Sequence, residues 1–425
     1  MLDSEFKAKH FAFAMLAAFL CYLPMVMPLS SLSIHVTRDW GLSNFLAGTA
    51  VGAGFFTSFL FRKYAGDLAD RIGGKRCFLR GSLGYAAGGL VCLLSSWEAL
   101  PAAAGFVTLV AGRLILGFSE SMANVGMGHW CIGRMSLARA GRVMATHGMC
   151  IYATVAFGGW VGYTLYEKAG FGSVLAVSIV SPLLAFGIAW LSPAAAPSAA
   201  RGDQPSFFTV IKRIGRFSVP CGLHAVGFAI LSAFLSKTFL ERGWDYAGFA
   251  FTVAGVGFVC MRLVLGKMLD RLGGLAMARL SGLFELVGAY LLWLAPEPLS
   301  ALLGAFLVGA GCSMVFPALS LEVVRMAPTS IRGACMSLNS AFIDLAYCFS
   351  APIAGLAIDR IGGGDDHLGY LLGALAVTLG QALLLRLAAA RRRGARERAF
   401  SARWFANKNP ENNAAAPAAE RRAQP

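Results

Sequence analysis

The chain has 425 residues, of which 57% are hydrophobic and only 14% charged, with 37 basic and 22 acidic side chains giving a formal charge of +15. Soluble domains carry about 25% charged and 45–50% apolar residues, so a water-soluble globular protein and a disordered chain are both excluded. Fifty glycines without a Gly-X-Y period rule out collagen and suit helices that meet at backbone distance in lipid.

About 20 apolar residues are needed to cross the hydrocarbon core. Twelve such spans with short loops fill residues 1–390, whereas seven would leave large soluble loops that the sequence lacks. The first span is predicted over 11–32, preceded by Lys7, Lys9 and His10 and bent at Pro24 and Pro28. Its apolar run is too long for a signal peptide, and no Ala-x-Ala-like cleavage site follows. Further spans are predicted over 44–61, 78–95, 102–124, 142–165 and 172–192. A polar, basic linker at 194–216 comes next, then spans over 218–236, 247–265, 276–294, 300–320, 333–356 and 367–389. The expected architecture is all-α, with twelve transmembrane helices in two pseudo-symmetric six-helix bundles at 1–193 and 217–390. A disordered basic tail is expected over 391–425, where nine basic residues face three acidic ones.

Orientation follows from lysine and arginine. With both termini in the cytoplasm, the outer loops hold only Arg38, Lys168, Lys237, Arg242 and Arg360. Arg113 lies within a span, and the remaining basic residues fall inside. This asymmetry accounts for the positive charge without a nucleic-acid partner. The basic tail is suited to contact with anionic lipid.

Residues 62–74 read RKYAGDLADRIGG and residues 262–274 read RLVLGKMLDRLGG. Across an offset of 200, Arg62, Gly66, Asp70, Arg71, Gly73 and Gly74 recur as Arg262, Gly266, Asp270, Arg271, Gly273 and Gly274. Both copies are expected in the cytoplasmic loop after the second span of their half. Duplicated halves mark many membrane transporters.

The stretch from Gly66 to Arg76 resembles the GxLaDRxGrkr loop signature of the major facilitator superfamily, with a weaker second copy at Gly266, Asp270 and Arg271. The resemblance covers about 1–390. Closer likeness is to bacterial arabinose-efflux-type permeases and opine-metallophore exporters, carried by LSNFLAGTAVG at 42–52, RLILGFSES at 113–121, VGFA at 226–229, VFPALSLE at 315–322 and FIDLAYCFSAPIAG at 342–355. It implies a multi-pass protein of the bacterial inner membrane that moves a small solute by alternating access. It also implies that Gly66, Asp70, Arg71, Lys75 and Arg76, with Gly266, Asp270 and Arg271, latch the cytoplasmic ends while the cavity faces outward. Physically, Gly66 permits a close helix crossing, and Asp70 can meet a helix N-terminus. The alternative is a plain basic anchor with Asp70 in water.

Arg113, Glu120 and Asn124 fall near one face of the fourth span, and Asp344 lies mid-way along the eleventh. A charge at the centre of a span costs roughly 2.5–3.5 kcal/mol on insertion scales, so such groups face the bundle interior and mark transport pathways. By resemblance, Arg113 sits at the arginine of the RxxQG motif implicated in proton coupling, with Leu116 in place of the glutamine. Arg113, Glu120, Asn124, His224 and Asp344 are therefore the candidates for a proton-coupling or substrate cavity. Static buried pairing is the competing reading for each. Glu285 in the ninth span is expected to pair structurally, and Glu322 to pair with Arg325.

Residues 158–162 read GGWVG, so Trp160 stands where the antiporter motif of span five has proline. The sequence contains no GxxxxGK[ST], HExxH or GxSxG motif, and no CxxC pair among its ten cysteines. No metal, cofactor, ATP site or enzymatic chemistry is expected. The partners implied are a small-molecule substrate, protons and membrane lipid, with the chain acting as a monomer. Proton-coupled antiport, meaning efflux, is the leading expectation; uptake by symport is the alternative, and a non-transporting sensor or scaffold is the reading from another class.

Overall fold

Eleven helices long and apolar enough to cross a membrane occur among the described residues. The computed structural model describes residues 2–135, 140–194, 207–327 and 332–408, and there it is helical without strands. The helices are α1 (Leu2–Val26), α2 (Leu29–Ile34), α3 (Asn44–Ile72), α4 (Gly74–Leu94), α5 (Ala102–Met135), α6 (Ala140–Leu191) and α7 (Phe207–Glu241). They continue as α8 (Ala247–Leu265), α9 (Met268–Leu272), α10 (Gly274–Leu294), α11 (Pro298–Met326), α12 (Arg332–Arg360) and α13 (His367–Lys408).

The eleventh and twelfth expected spans are present, and the apparent shortfall lies in α6. This helix has 52 residues, about twice the length of a span, and is broken at Gly170 (φ 73°, ψ 175°). A left-handed φ is open to glycine at little cost, so the chain turns there without a loop and makes two crossings, the fifth and sixth. The first crossing is also compound. Pro24 lies inside α1, α2 starts after Pro28, and a π-helical turn over His35–Asp39 ends it. Proline removes an amide donor and breaks the helix ladder.

The contacts repeat between the halves. α4 lies along α5 as α10 lies along α11, and α3 packs on α5 as α8 packs on α11. Two further pairings cross from the first six spans to the last six: α3 with α12, and α6 with α8. The repeated motif turns alike in both copies, with Gly73 at φ 88°, ψ 147° and Gly273 at φ 79°, ψ 160°. A side chain at either position would be strained, which gives the repeated glycines a physical reason.

Two expectations need correction. Residues 62–72 were expected in a loop, but α3 runs on to Ile72; its backbone ladder does not stop at the charged pair Arg62–Lys63, where the apolar run does. In the second copy the helix stops at Leu265 and resumes as α9. Residues 391–408, expected to be disordered, continue α13, in keeping with the strong helix propensity of alanine and arginine. Residues 409–425 of the tail and 195–206 of the linker lie outside the described residues. Residues 1–381 form one compact unit, and 382–425 are a second, helical as far as Lys408.

Candidate functional site

The charged centre is built on α3. Ser58 and Arg62 stand one helical turn apart and so project to the same side. On α5, Glu120 and Asn124 are likewise one turn apart. Tyr22 comes from α1, and Asp344 comes from α12 in the other half.

Arg62 Nε donates to Asp344 Oδ2 at 2.8 Å, and Nη2 reaches the same oxygen at 2.5 Å. Nη2 also lies 4.0 Å from Glu120 Oε2 and donates to Ser58 Oγ at 3.5 Å. Glu120 is held on all sides by hydroxyl and amide donors. Ser58 Oγ donates to its Oε2, while Asn124 Nδ2 (2.9 Å) and Tyr22 OH (3.4 Å) donate to its Oε1. Glu120 and Asp344 are 3% and 7% exposed, so the cluster is shielded from solvent. One guanidinium thus faces two carboxylates, one from each half of the molecule. It can exchange partners by a small movement of its side chain, because the second carboxylate is already within 4.0 Å.

Arg113 does not join this cluster. It is 1% exposed, and its donors go to three backbone carbonyls: Nε to Ala50 at 3.1 Å, Nη1 to Met25 at 3.3 Å and Nη2 to Val51 at 3.3 Å. Arginine's five donors suit such a role, and here they tie α5 to α1 and α3. His224 is also apart. Its Nδ1 meets Glu285 Oε2 at 2.8 Å, with both residues fully buried. Of the five sequence candidates, the structure brings together Glu120, Asn124 and Asp344.

Sequence reasoning missed Arg62, Tyr22 and Ser58. A signal for Arg62 existed, since it is the first residue of the duplicated motif. Its counterpart Arg262, on α8, occupies different surroundings: Tyr152 and Phe258 flank its guanidinium at 5.3 and 5.6 Å from the ring centroids.

At the duplicated motif, the contacts stay within the first half. Asp70 Oδ1 faces His129 Nε2 at 3.3 Å, and Lys75 Nζ donates to the carbonyls of Trp190 (2.9 Å) and Ser192 (2.5 Å) at the end of α6. Arg71, Arg76 and Arg271 are exposed, and the side chain of Asp270 is outside the described residues. A close crossing at Gly66 was expected and is not present: nothing lies within 4 Å of where its Cβ would stand. Gly266 meets only its own helix, at the carbonyl of Arg262.

Close packing between the halves occurs instead toward the Asn44 end of α3. A Cβ on Gly48 would collide with the carbonyl of Ala351, one on Gly52 with that of Cys348, and one on Gly355 with that of Asn44. Asp359 of α12 caps the start of α3, accepting from the backbone amides of Asn44 (3.0 Å) and Phe45 (2.8 Å) and from Asn44 Nδ2 (2.9 Å). A carboxylate at a helix N-terminus satisfies orphan donors and the helix dipole together. The pseudo-symmetric pair behaves alike: Gly255 presses on Ala156, and Thr252 Oγ1 donates to Ala156 O at 2.8 Å. Trp160, at the expected antiporter-motif position, is exposed and stacks on Phe249.

Residues 14–351 match the sequence pattern of the Major Facilitator Superfamily. An uncharacterized MFS-type transporter of Salmonella typhimurium is 38% identical over 373 residues, spanning 87% of this chain and 95% of that protein. Another, from Burkholderia pseudomallei, is 34% identical over 366 residues, 86% of this chain and 88% of its own. Among solved structures, a D-xylose–proton symporter superposes with a TM-score of 0.70 at 16% identity, covering 87% of this chain and 96% of its own. The nucleoside transporter NupG does so with a TM-score of 0.70 at 15% identity, covering 89% and 99%. At that identity these two speak to the fold alone.

Proposed function

The chain belongs to the major facilitator superfamily of multi-pass membrane transporters, and on that premise we propose that it is a proton-coupled antiporter that expels a small organic solute. The supporting observation is Arg62, held between Glu120 of its own half and Asp344 of the other. While Asp344 is ionised, Arg62 ties α3 to α12. When Asp344 takes a proton, its attraction for the guanidinium falls away. Arg62 then turns to Glu120, and the tie between the halves loosens. A proton is thereby converted into a change in how strongly the two halves hold together.

In this reading the moving bodies are residues 1–193 and 217–390, joined by the 194–216 linker, and one chain forms the whole site. Both termini are cytoplasmic, as the distribution of basic residues favours. The Asn44 end then faces the periplasm and is closed in this conformation. The duplicated motif is the cytoplasmic latch in its released state, with Asp70 resting on His129 until the halves meet at that end. Arg113 holds α5 against α1 and α3, so that Glu120 keeps its place. His224 acts through Glu285 on the packing of α7 against α10. The tail from 391 meets anionic lipid.

The test uses everted inner-membrane vesicles that overproduce the protein and hold an acid interior made by respiration. Adding an exported solute should dissipate the pH gradient, and Glu120→Gln and Asp344→Asn should abolish that response at normal protein yield. Solute movement that is indifferent to the pH gradient contradicts the proton coupling. Movement of proton and solute in the same direction contradicts antiport and makes the protein a symporter.

A further inference from the structure

Charge is distributed unevenly at the centre of this protein. Around Arg62, two carboxylates share one guanidinium, which leaves a surplus negative charge whenever both are ionised. Around Arg262 the balance is reversed. No carboxylate lies within ion-pair distance of it among the described residues. Its Nη2 reaches only the backbone carbonyl of Ser313, at 3.4 Å, and its buried Nε has no acceptor. Gly148 leaves the guanidinium its space, because a Cβ there would press on Nη1 from 2.5 Å.

Arg262 is half-buried, with a buried Nε that has no acceptor, and such an unsatisfied donor gains when a counter-charge arrives. A row of aromatic rings joins the two poles. The ring of Phe258, which flanks Arg262, has its centroid 6.2 Å from that of Phe228. Phe228 in turn lies 6.2 Å, centroid to centroid, from Tyr347, three residues beyond Asp344. Aromatic rings therefore separate a negative pole from a positive one.

We infer that the transported solute is a zwitterion, with its carboxylate on Arg262 and its cationic group taking the surplus negative charge of Glu120 and Asp344. This deepens the antiport reading and rests on it: a cationic group and a proton compete for the same surplus charge, so loading the solute expels the proton. A solute with only a cation would leave Arg262 without an anion. A phosphate dianion would bring two negative charges to one guanidinium. The rings of Tyr152 and Phe258 suit an apolar or aromatic body between the charged ends.

The experiment measures binding to the purified full-length protein with three probes built on one skeleton: L-phenylalanine, which carries both charges, 3-phenylpropionate and 2-phenylethylamine. L-phenylalanine should bind most tightly. Arg262→Gln should weaken it and 3-phenylpropionate by about tenfold or more, as expected for loss of a charge-assisted hydrogen bond. The same variant should leave 2-phenylethylamine unchanged, which also shows that it has folded, and Arg262→Lys should recover part of the loss. Failure of L-phenylalanine to bind at millimolar concentration overturns the inference, as does binding indifferent to Arg262→Gln. Displacement of L-phenylalanine by inorganic phosphate more readily than by 3-phenylpropionate overturns the carboxylate assignment. Proton release on binding, followed in weak buffer with a pH dye, reports on antiport separately. Arg262-dependent binding without proton release keeps the zwitterion and removes the antiport; proton release that ignores Arg262 does the reverse.

Discussion

Arg62→Gln is expected to abolish pH-driven transport, and to do so by removing the one positive charge shared by two buried carboxylates. Breaking a buried ion pair by deleting one partner costs about 3–5 kcal/mol, because the remaining charge is left uncompensated. In this protein the penalty falls on both Glu120 and Asp344, each of which also costs roughly 2.5–3.5 kcal/mol to hold within a membrane span. Transport should fall by at least about a hundredfold, and thermal stability should fall with it. The double variant Arg62→Gln with Asp344→Asn separates the two effects. Its stability should recover in part, since Asp344 is no longer stranded and Glu120 keeps its hydroxyl and amide donors, while its transport should stay absent. In a double-mutant cycle the two positions should couple by about 0.5–3 kcal/mol. Independent effects would mean that the 2.5 Å contact contributes nothing to the working cycle.

Gly52→Leu should act at a distance from any charge. A side chain at Gly52 has nowhere to go, because its first carbon would overlap the carbonyl of Cys348 on α12. That neighbour is backbone and cannot rotate aside. Overpacking of this kind costs about 1–3 kcal/mol, and the cost is borne only by conformations in which α3 and α12 touch at this end. Where two states differ by a few kcal/mol, about 2 kcal/mol moves their ratio roughly thirtyfold. The protein should therefore populate the state opened at the Asn44 end. Cys348, buried in the present conformation, is a native reporter. In a background where it is the only cysteine, its alkylation should accelerate in Gly52→Leu. Gly187→Leu is the control, since nothing lies within 4 Å of a Cβ there. Equal alkylation in both variants would show that the α3–α12 contact is not a gate.

How much of this could be read from the amino-acid order depends on range. The membrane class, the twelve crossings and the duplicated halves are encoded locally, in apolar runs and in a motif that recurs 200 residues on. Glu120 and Asp344 stood out because a charge in a greasy span is conspicuous wherever it points. Arg62 did not stand out. It sits where the apolar run stops, and hydropathy marks the end of the run rather than the end of the helix, which runs ten residues further. The pairing of His224 with Glu285, 61 positions apart, and the capping of α3 by Asp359, 315 positions away, depend on helix packing that spacing does not encode. The stripe of Arg113 with Glu120 was correct in periodicity. The partners were not legible, because the carbonyls that hold Arg113 belong to other helices. Gly66 shows a different limit, since a residue's neighbours depend on which conformation the protein occupies.

The central claim is that protonation between Arg62, Glu120 and Asp344 moves the two halves, and pulsed electron spin resonance can test it without knowledge of the solute. Spin labels at Asp67 and Lys267 report on one end and labels at Trp97 and Glu297 on the other, all four being exposed positions related by the internal repeat. Lowering the pH should shift the two distance distributions in opposite directions, one end closing as the other opens, and Asp344→Asn should hold both at their low-pH values. Distances that ignore pH, or that respond to it as strongly in Asp344→Asn as in the unaltered protein, would contradict the account.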